Sequence, residues 1–275
     1  MIRLGLVGYP VSQSLSPKIQ NAALSACGLE GNYSLFPIHP DDKQGLKDLL
    51  ARVCSGEITG LNVTIPHKQN VIPLLDELTP TAKAIGAVNI IYVRENKLIG
   101  DNTDAPGFLA DLNQFLCAHQ SKIVNRKSAI VLGAGGSARS IVYALQSDGW
   151  EVTIAARRAE QAQQLASQFK DIRIVDINLQ TFQLSNLQLI VNTTPVGMTP
   201  NVDQSPLPEN ITLPPQVMIY DLIYNPRETK LVRDARSQGL HATTGLGMLI
   251  EQAALGFRLW TGCKLPAEIF HNAVE

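Results

Sequence analysis

The first hundred residues alternate between apolar runs with the two-residue period of a strand and segments with the apolar spacing of a helix. Strands are predicted at 3–7, 33–39, 61–65, 88–93 and 98–100, and helices at 17–27 and 46–53. Because Glu95, Asn96 and Lys97 separate the last two strands, these strands are expected to form a hairpin. The pattern predicts an α/β lobe with a hairpin at one side.

A helical stripe of apolar residues at 108–116 connects this lobe to a second series of strands. These strands are predicted at 129–132, 151–156, 172–175, 187–192 and 217–222, and a terminal helix with apolar positions at 249–257 follows. Strands separated by helical patterns indicate a parallel sheet. Since 275 residues are enough for about two domains, the prediction is a two-lobed α/β protein.

A glycine turn directly follows the first strand of the second series. Gly133, Gly135 and Ala138 form a G-x-G-x-x-A pattern between an apolar run and a segment of helical spacing. Such a turn lets backbone N–H groups approach a pyrophosphate at a helix N-terminus. Glycines also end strands for conformational reasons alone, but the strand–turn–helix–strand context favours a dinucleotide site.

The next strand ends in two arginines instead of the acidic residue that holds the ribose 2′-hydroxyl of NAD. A guanidinium at this position suits a 2′-phosphate, because its planar fork matches phosphate oxygens. Arg157 and Arg158 therefore predict NADP as the cofactor. The alternative is that one or both belong to the solvated face at the start of a helix.

The amino-acid composition limits which binding partners are expected for the chain. With 23 basic and 24 acidic residues the net charge is −1, so neither nucleic acid nor an anionic membrane is favoured and a small-molecule substrate is expected. The chain begins on a strand-like run without a basic leader, and no apolar run reaches membrane-spanning length. A cytoplasmic protein is expected.

The sulfur and imidazole side chains predict no metal. Cys27, Cys54, Cys117 and Cys263 lack C-x-x-C spacing and are expected to be reduced, and most of them to be core residues. The five histidines show no paired ligand spacing either.

Two serines precede the first predicted helix. Ser14 and Ser16 would direct both hydroxyls the same way if the backbone is extended, and beside a helix N-terminus they would form a small site for a carboxylate. The alternative is that Ser16 only caps the helix, with Pro17 in its first turn.

A lysine and an aspartate are the candidates for proton transfer. The segment 62–68 places Asn62 and Thr64 on one face of a strand and then Lys68 near a helix start, and Asp104 ends a polar segment before the connector helix. If the two met where a substrate faces a nicotinamide, they would supply proton transfer and orientation for a carbonyl undergoing hydride addition. A solvated Lys68 and an Asp104 that only caps the helix are the alternatives.

Taken together, these segments resemble the shikimate dehydrogenase family over essentially the whole chain. The matching motifs stand in the family order at 14–17, 62–68, 86–89, 100–104, 133–136, 192–198, 221–226 and 245–252. The resemblance implies a substrate-binding catalytic domain at 1–103, joined by a C-terminal helix at 246–275 that returns to this first lobe. It also implies a Rossmann-like NADP-binding domain at 104–245.

The implied activity is the reversible reduction of 3-dehydroshikimate to shikimate with NADPH, in chorismate and aromatic amino acid biosynthesis, by a monomer or homodimer. Lys68 would pass the proton and Asp104 would fix the reacting hydroxyl. The residues implied for substrate binding are Ser14, Ser16, Thr64, Asn89, Tyr224 and Gln252. Those implied for cofactor binding are Gly133, Gly135, Gly136, Ser137, Ala138, Arg157, Arg158, Thr193, Met198, Leu222, Gly245, Gly247 and Met248.

One segment departs from the family pattern. Many relatives carry Asn-Arg-Thr and a short spacer at the 2′-phosphate turn, whereas this chain has the more compact Ala156, Arg157, Arg158 and Ala159. Arg158 stands in for either the missing threonine or a later arginine.

Two other functions compete with the shikimate dehydrogenase activity: that of a quinate/shikimate dehydrogenase that uses NAD, and that of a nucleotide-sensing homologue without turnover.

Overall fold

The structure is a computed structural model that describes residues 1–119, 127–177, 184–209 and 211–274. It divides into two compact units. The first comprises Met1–Gly107 and Leu249–Glu275, and the second comprises Phe108–Met248. Each unit contains a sheet with helices, so the α/β fold class predicted from the sequence is confirmed.

The secondary structure follows the predicted alternation. The strands are β1 (Ile2–Gly8), β2 (Gly31–Pro37), β3 (Gly60–Val63), β4 (Glu77–Leu78), β5 (Ile90–Arg94), β6 (Lys97–Asp101), β7 (Ser128–Leu132), β8 (Glu151–Ala155), β9 (Arg173–Val175), β10 (Leu189–Asn192), β11 (Met218–Asp221) and β12 (Ala242–Thr244). The helices are α1 (Ser16–Ala26), α2 (Lys43–Cys54), α3 (His67–Asn70), α4 (Pro80–Ile85), α5 (Asp104–Ala118), α6 (Gly136–Ser147), α7 (Ala159–Ala166), α8 (Lys230–Ser237), α9 (Leu246–Thr261) and α10 (Ala267–Asn272).

The sheet of the first unit has the strand order β2-β1-β3-β5-β6-β4. β1 pairs in parallel with β2 and β3, whereas β5 runs antiparallel to both β3 and β6. The predicted hairpin is present, and its turn places Glu95 and Asn96 at φ values of 53° and 58°. α2 packs Leu46, Leu49 and Val53 into the apolar core of this unit.

The sheet of the second unit is parallel throughout, in the order β12-β11-β10-β7-β8-β9. Numbered from its own first strand, this is the 3-2-1-4-5-6 order of a doubly wound dinucleotide-binding fold. Most residues of β7 and β10 are apolar and buried, as is typical of parallel strands covered by helices on both faces.

The sequence prediction was wrong about the end of β3 and about the C-terminal segment. β3 ends at Val63, because a turn in which the His67 N–H donates to the carbonyl of Thr64 carries the chain out of the sheet. The C-terminal segment contains two helices: α9 ends before Gly262, which has a φ of 73°, and α10 begins after Pro266. Glu275 lies outside the described residues.

The cysteines are free, but they are not core residues. Cys54 and Cys117 are exposed, and Cys27 and Cys263 are half-buried. Each lies at or near the end of a helix, where the apolar stripe no longer faces the core. Burial and the neighbouring Cys263 thiol raise the pKa of Cys27 to about 11.

Candidate active site

The structure brings Lys68 and Asp104 together. Lys68 lies on the short helix α3, and Asp104 is the first residue of α5. The Lys68 ammonium donates to Asp104 Oδ2 at 2.6 Å, and the two side chains are only 10% and 8% exposed. The two candidates for proton transfer, 36 residues apart in the chain, form a buried ion pair within the first unit.

Hydrogen bonds to the backbone hold the segments that carry Lys68 and Asp104. The carbonyl of Lys68 accepts a hydrogen bond from the Val88 N–H at 2.8 Å, which ties α3 to the segment before β5. At the start of α5, Asn102 Oδ1 accepts from the Ala105 N–H at 3.2 Å, and Asn102 Nδ2 donates to the carbonyl of Ala87. Because Asn102 serves a backbone N–H of the first turn, the Asp104 carboxylate is available to Lys68.

Asn89 fixes the other oxygen of Asp104. Its Nδ2 donates to Asp104 Oδ1 at 2.8 Å, while its Oδ1 accepts from the Thr103 N–H at 2.7 Å. Behind it, Asn62 Nδ2 donates to the carbonyl of Asn89 at 3.2 Å, and Tyr33 Oη donates to Asn62 Oδ1 at 2.8 Å. These side chains are buried, so the carboxylate of Asp104 is held from two sides.

The sequence did not assign Tyr33 and Thr103 to the site. Thr103 stands next to Asp104 in a polar segment, which is a usable signal. Tyr33 contacts the network only because β2 and β3 both pair with β1, so nothing in its local sequence indicates this role.

Burial of this ion pair is costly to the fold. Removing an ammonium and a carboxylate from water carries a penalty that is recovered only with good geometry and further hydrogen bonds. The 2.6 Å contact and the Asn89 amide provide both. A buried charge pair of this kind is a candidate for proton transfer.

The remaining predicted substrate residues of the first unit occupy three places. Ser14 Oγ accepts from the Ser16 N–H at 3.2 Å, and Leu15 between them is helical, so the extended backbone assumed for this segment is wrong. Thr64 lies after β3 and donates its N–H to the carbonyl of Val7. Gln252, on α9, donates Nε2 to the carbonyl of Leu249 at 2.7 Å.

Tyr224 belongs to the second unit. It follows β11 in the segment between Asp221 and α8, and it is half-buried. The predicted set of substrate residues is therefore distributed over both units.

The glycine turn has the form that the sequence predicts. Gly133 follows β7 with a φ of 106°, and a Cβ there would lie 2.7 Å from Thr193 Oγ1. Gly135 directly precedes α6, and a Cβ at this position would meet nothing within 4 Å. Open space therefore lies beside the backbone of Gly135 at the start of α6, where a phosphate can approach backbone N–H groups.

Four of the predicted cofactor residues stand at the carboxyl ends of adjacent strands. Gly133, Thr193, Leu222 and Gly245 directly follow β7, β10, β11 and β12. Thr193 Oγ1 donates to the carbonyl of Leu132, the Leu222 N–H donates to that of Asn192, and Gly245 lies against the backbone of Leu222. This is the edge of a doubly wound sheet where ligands bind.

The other predicted cofactor residues flank this edge. Ser137 and Ala138 lie in the first turn of α6 after Gly136, and Gly247 and Met248 lie in the first turn of α9. Met198 is 43% exposed in the segment after β10. Arg157 and Arg158 are exposed just beyond β8, where Arg158 is the residue before α7.

Asp221 joins the loops after β10 and β11. Its Oδ1 accepts from Asn192 Nδ2 at 2.9 Å and from the Ile223 N–H at 3.1 Å, and its Oδ2 accepts from Thr229 Oγ1 at 2.7 Å. Burial raises the pKa of Asp221 to about 6, and the hydrogen bonds from Thr229, Ile223 and Asn192 oppose this shift. The sequence alone does not predict this network.

The described part of the chain contains no group of three or more His, Cys, Asp and Glu side chains arranged to hold a metal ion. Of the helices in the described ranges, none combines the length and the apolar character that crossing a membrane requires.

The two units together define a class of protein. A parallel sheet of this order with a glycine turn at its centre is a dinucleotide-binding unit, and the buried Lys68–Asp104 pair is suited to proton transfer. The class is that of nicotinamide-dependent oxidoreductases.

Comparisons with known proteins identify the family. Residues 6–91 match the shikimate dehydrogenase substrate binding domain, residues 116–234 match shikimate / quinate 5-dehydrogenase, and residues 245–275 match the shikimate 5′-dehydrogenase C-terminal domain. The chain belongs to the shikimate dehydrogenase family.

Relatives match along nearly the whole chain. The NADP⁺ shikimate dehydrogenase of Desulforamulus reducens is 39% identical, over 98% of this chain and 94% of the relative. That of Carboxydothermus hydrogenoformans is 37% identical, over 98% and 95%. The crystal structure of shikimate 5-dehydrogenase from Thermus thermophilus, in complex with NADP(H) and shikimate, is 37% identical and covers 99% of this chain and 98% of that one, with a TM-score of 0.86.

Proposed function

We propose that the protein reduces the carbonyl of 3-dehydroshikimate reversibly to the hydroxyl of shikimate with NADPH, in the biosynthesis of chorismate and the aromatic amino acids. The observation that carries the proposal is the buried contact of 2.6 Å between Lys68 and Asp104. Family membership and the NADP-dependent relatives support the choice of substrate and cofactor.

Lys68 supplies and removes the proton. In the direction of reduction its ammonium donates one proton to the carbonyl oxygen, while a hydride adds to the carbonyl carbon, so that C=O becomes CH–OH. In the direction of oxidation the neutral amine takes the hydroxyl proton back. Asp104 accepts a hydrogen bond from Lys68 and so fixes the reacting hydroxyl and Lys68 side by side, and Asn89 keeps Asp104 in place.

The remaining residues bind and orient the substrate. Ser14, Ser16 and Tyr224 hold its carboxylate, and Thr64, Asn89 and Gln252 bind its ring hydroxyls. These assignments rest on the family resemblance of the motifs that carry them. The first unit, whose residues 6–91 match a substrate binding domain, contains all of them except Tyr224.

The second unit fits NADP. The open space beside Gly135, directly before α6, accommodates a pyrophosphate. Residue 133 is a glycine because a side chain at this position would collide with Thr193. Gly133, Gly135, Gly136, Ser137 and Ala138 hold the pyrophosphate, Arg157 holds the 2′-phosphate, and Arg158 belongs to the same turn of the cofactor site. When bound, NADPH supplies the hydride. Thr193, Met198, Leu222, Gly245, Gly247 and Met248 line the rest of the cofactor.

The assay that tests this function measures reduced nicotinamide by absorbance, with shikimate or quinate as substrate and NADP or NAD as cofactor. Shikimate with NADP is expected to give the highest kcat/KM. Comparable turnover of quinate, or a preference for NAD, would favour the quinate/shikimate dehydrogenase. Absence of turnover in all four combinations, with NADP still bound, would favour the nucleotide-sensing homologue.

A pair of lysine variants tests the proton donor. Lys68→Met keeps the aliphatic side chain but removes the proton, so kcat is expected to fall by about 100- to 10,000-fold. Lys97→Met is the matched control, since Lys97 also pairs with a carboxylate of the first unit but at the surface. Undiminished turnover of Lys68→Met would refute the assignment.

The assembly and location follow from the same proposal. We expect a monomer or homodimer that works in the cytoplasm. Light scattering of the purified protein and fractionation of the source cells measure the two properties.

A further inference from the structure

An aspartate from α5 lies against the first turn of α9. Tyr220 Oη donates a hydrogen bond to Asp111 Oδ2. A Cβ added at Gly247 would lie 2.6 Å from that oxygen and closer still to Oδ1. The carboxylate of Asp111 therefore lies directly beside the backbone of Gly247, and all three residues belong to the second unit.

The position of this carboxylate is fixed from behind. Tyr220 is a fully buried residue of β11, and its ring packs edge-on against Phe108 at 5.0 Å and Phe115 at 6.4 Å between centroids. Both phenylalanines lie on α5, one on each side of Asp111 in sequence. Tyr220 thus binds the aspartate and packs against the helix that carries it.

A carboxylate at this place stabilises the start of α9. The first turn of a helix has N–H groups without partners inside the helix, and its end carries partial positive charge. α9 has 16 residues and no acidic residue of its own in its first turn. Asp111 supplies a negative charge from another element, and glycine at 247 allows the approach.

This turn lies on the side of the sheet where the nicotinamide half of a dinucleotide belongs. β8, followed by Arg157, is on one side of the central strand β7, and β10, β11 and β12 are on the other. A dinucleotide crosses such a sheet with its pyrophosphate over the central turn, so its two halves lie on opposite sides. Gly247 and Met248 come three and four residues after β12.

We propose that Asp111 is a positioning residue of the cofactor site, which holds residues 246–248 in the arrangement that the nicotinamide half of NADPH requires. Tyr220 orients the carboxylate, and Gly247 gives it access to the backbone of α9. The inference rests on the proposed use of NADP.

The first experiment compares two ligands that share the adenosine half. Dissociation constants of NADPH and of 2′-phospho-ADP-ribose, which lacks the nicotinamide, are measured by calorimetry for the wild type, Asp111→Asn and Tyr220→Phe. Asp111→Asn keeps the size of the side chain and removes its charge. NADPH is expected to bind about 10-fold more weakly to both variants, whereas binding of the fragment stays unchanged.

The second experiment asks whether Gly247 acts through Asp111. Gly247→Ala is combined with wild-type Asp111 and with Asp111→Ala. In the wild-type background the new Cβ collides with the carboxylate, so the loss of NADPH affinity is expected to be at least several-fold larger than in the Asp111→Ala background. Equal losses in both backgrounds would show that the two residues are not coupled.

The outcomes separate this inference from the proposed function. If both ligands weaken equally, or the variants lose only thermal stability, Asp111 has a structural role and the inference is wrong. If the wild type binds NADPH but turns over no substrate, the proposed function fails, while the binding data still decide the role of Asp111.

Discussion

At the scale of single residues, the site depends on polar groups that are buried and satisfied by one another. Lys68 pairs with Asp104, and Asn89 bonds the second carboxylate oxygen. In the other unit, Asp221 collects three hydrogen bonds at the ends of β10 and β11. Removal of one partner from such a network leaves an unsatisfied buried group, which costs more than the bond itself contributes.

The arginines after β8 give a prediction about cofactor choice. Arg157→Ala is expected to raise the KM for NADPH by about 10- to 100-fold, because a charged hydrogen bond to the 2′-phosphate is lost. The KM for NADH should not change, since that cofactor lacks the phosphate. Arg158→Ala is the comparison. A rise in the KM for NADPH as large as that of Arg157→Ala would show that Arg158 binds the same phosphate, and an unchanged KM would show that Arg158 belongs to the solvated start of α7.

The raised pKa of Asp221 gives a prediction about stability and pH. The pKa of the Asp221 carboxyl is higher in the folded chain than in the unfolded chain, where it is near 3.8. The stabilising contribution of this group is therefore complete below the unfolded value and is lost as the pH rises through about 6.

Asp221→Asn is the reference variant, because it does not titrate and its amide can donate to Thr229 Oγ1 while its oxygen accepts from Asn192 and Ile223. Relative to this variant, the wild type should gain about 2 kcal/mol in free energy of unfolding between about pH 7.5 and about pH 4.5. Urea unfolding at both pH values measures the difference. A free energy of unfolding of the wild type, relative to Asp221→Asn, that stays constant or rises with increasing pH would contradict the direction of the pKa shift.

At the scale of elements, the two helices α5 and α9 approach closely through a glycine. A Cβ at Gly107 would lie 2.8 Å from the backbone nitrogen of Gln252 and 2.9 Å from its Cβ. The backbone of α9 cannot move aside as the end of a side chain could. Gly107 therefore sets the distance between Asp104 at the start of α5 and Gln252 on α9.

Gly107→Ala tests this contact. Alanine favours a helix over glycine by about 1 kcal/mol, so an increase in stability is expected wherever space allows. At 107 the collision should outweigh that gain and lower the free energy of unfolding by about 1 to 3 kcal/mol, with a higher KM for shikimate.

Gly256→Ala on α9 is the matched control for this variant. The nearest atom to its new Cβ is the end of the Ile90 side chain at 3.1 Å, which can shift. Thermal unfolding of both variants and the KM for shikimate provide the comparison. Equal stability of the two would show that the approach of α5 to α9 at Gly107 has room for a methyl group.

At the scale of the whole molecule, each unit has its own apolar core and its own part of the proposed chemistry. One core lies around β1, β3 and α2, and the other lies around β7, β10 and β11. The chain passes from one unit to the other within α5 and within α9. The Lys68–Asp104 pair is formed entirely inside the first unit, and the glycine turn lies inside the second, so the proposed reaction draws on both.

The alternation of strands and helices, the glycine turn and the motifs of the family could be predicted from the sequence, because they depend on local periodicity and on residue types at fixed spacing. Gly133, Gly135 and Arg157 could be placed at strand ends for this reason. Contacts between side chains that are far apart in the chain could not be predicted in this way. The contacts of Lys68 with Asp104, of Tyr33 with Asn62 and of Tyr220 with Asp111 depend on strand order and helix packing, which set distances between residues that local sequence does not relate.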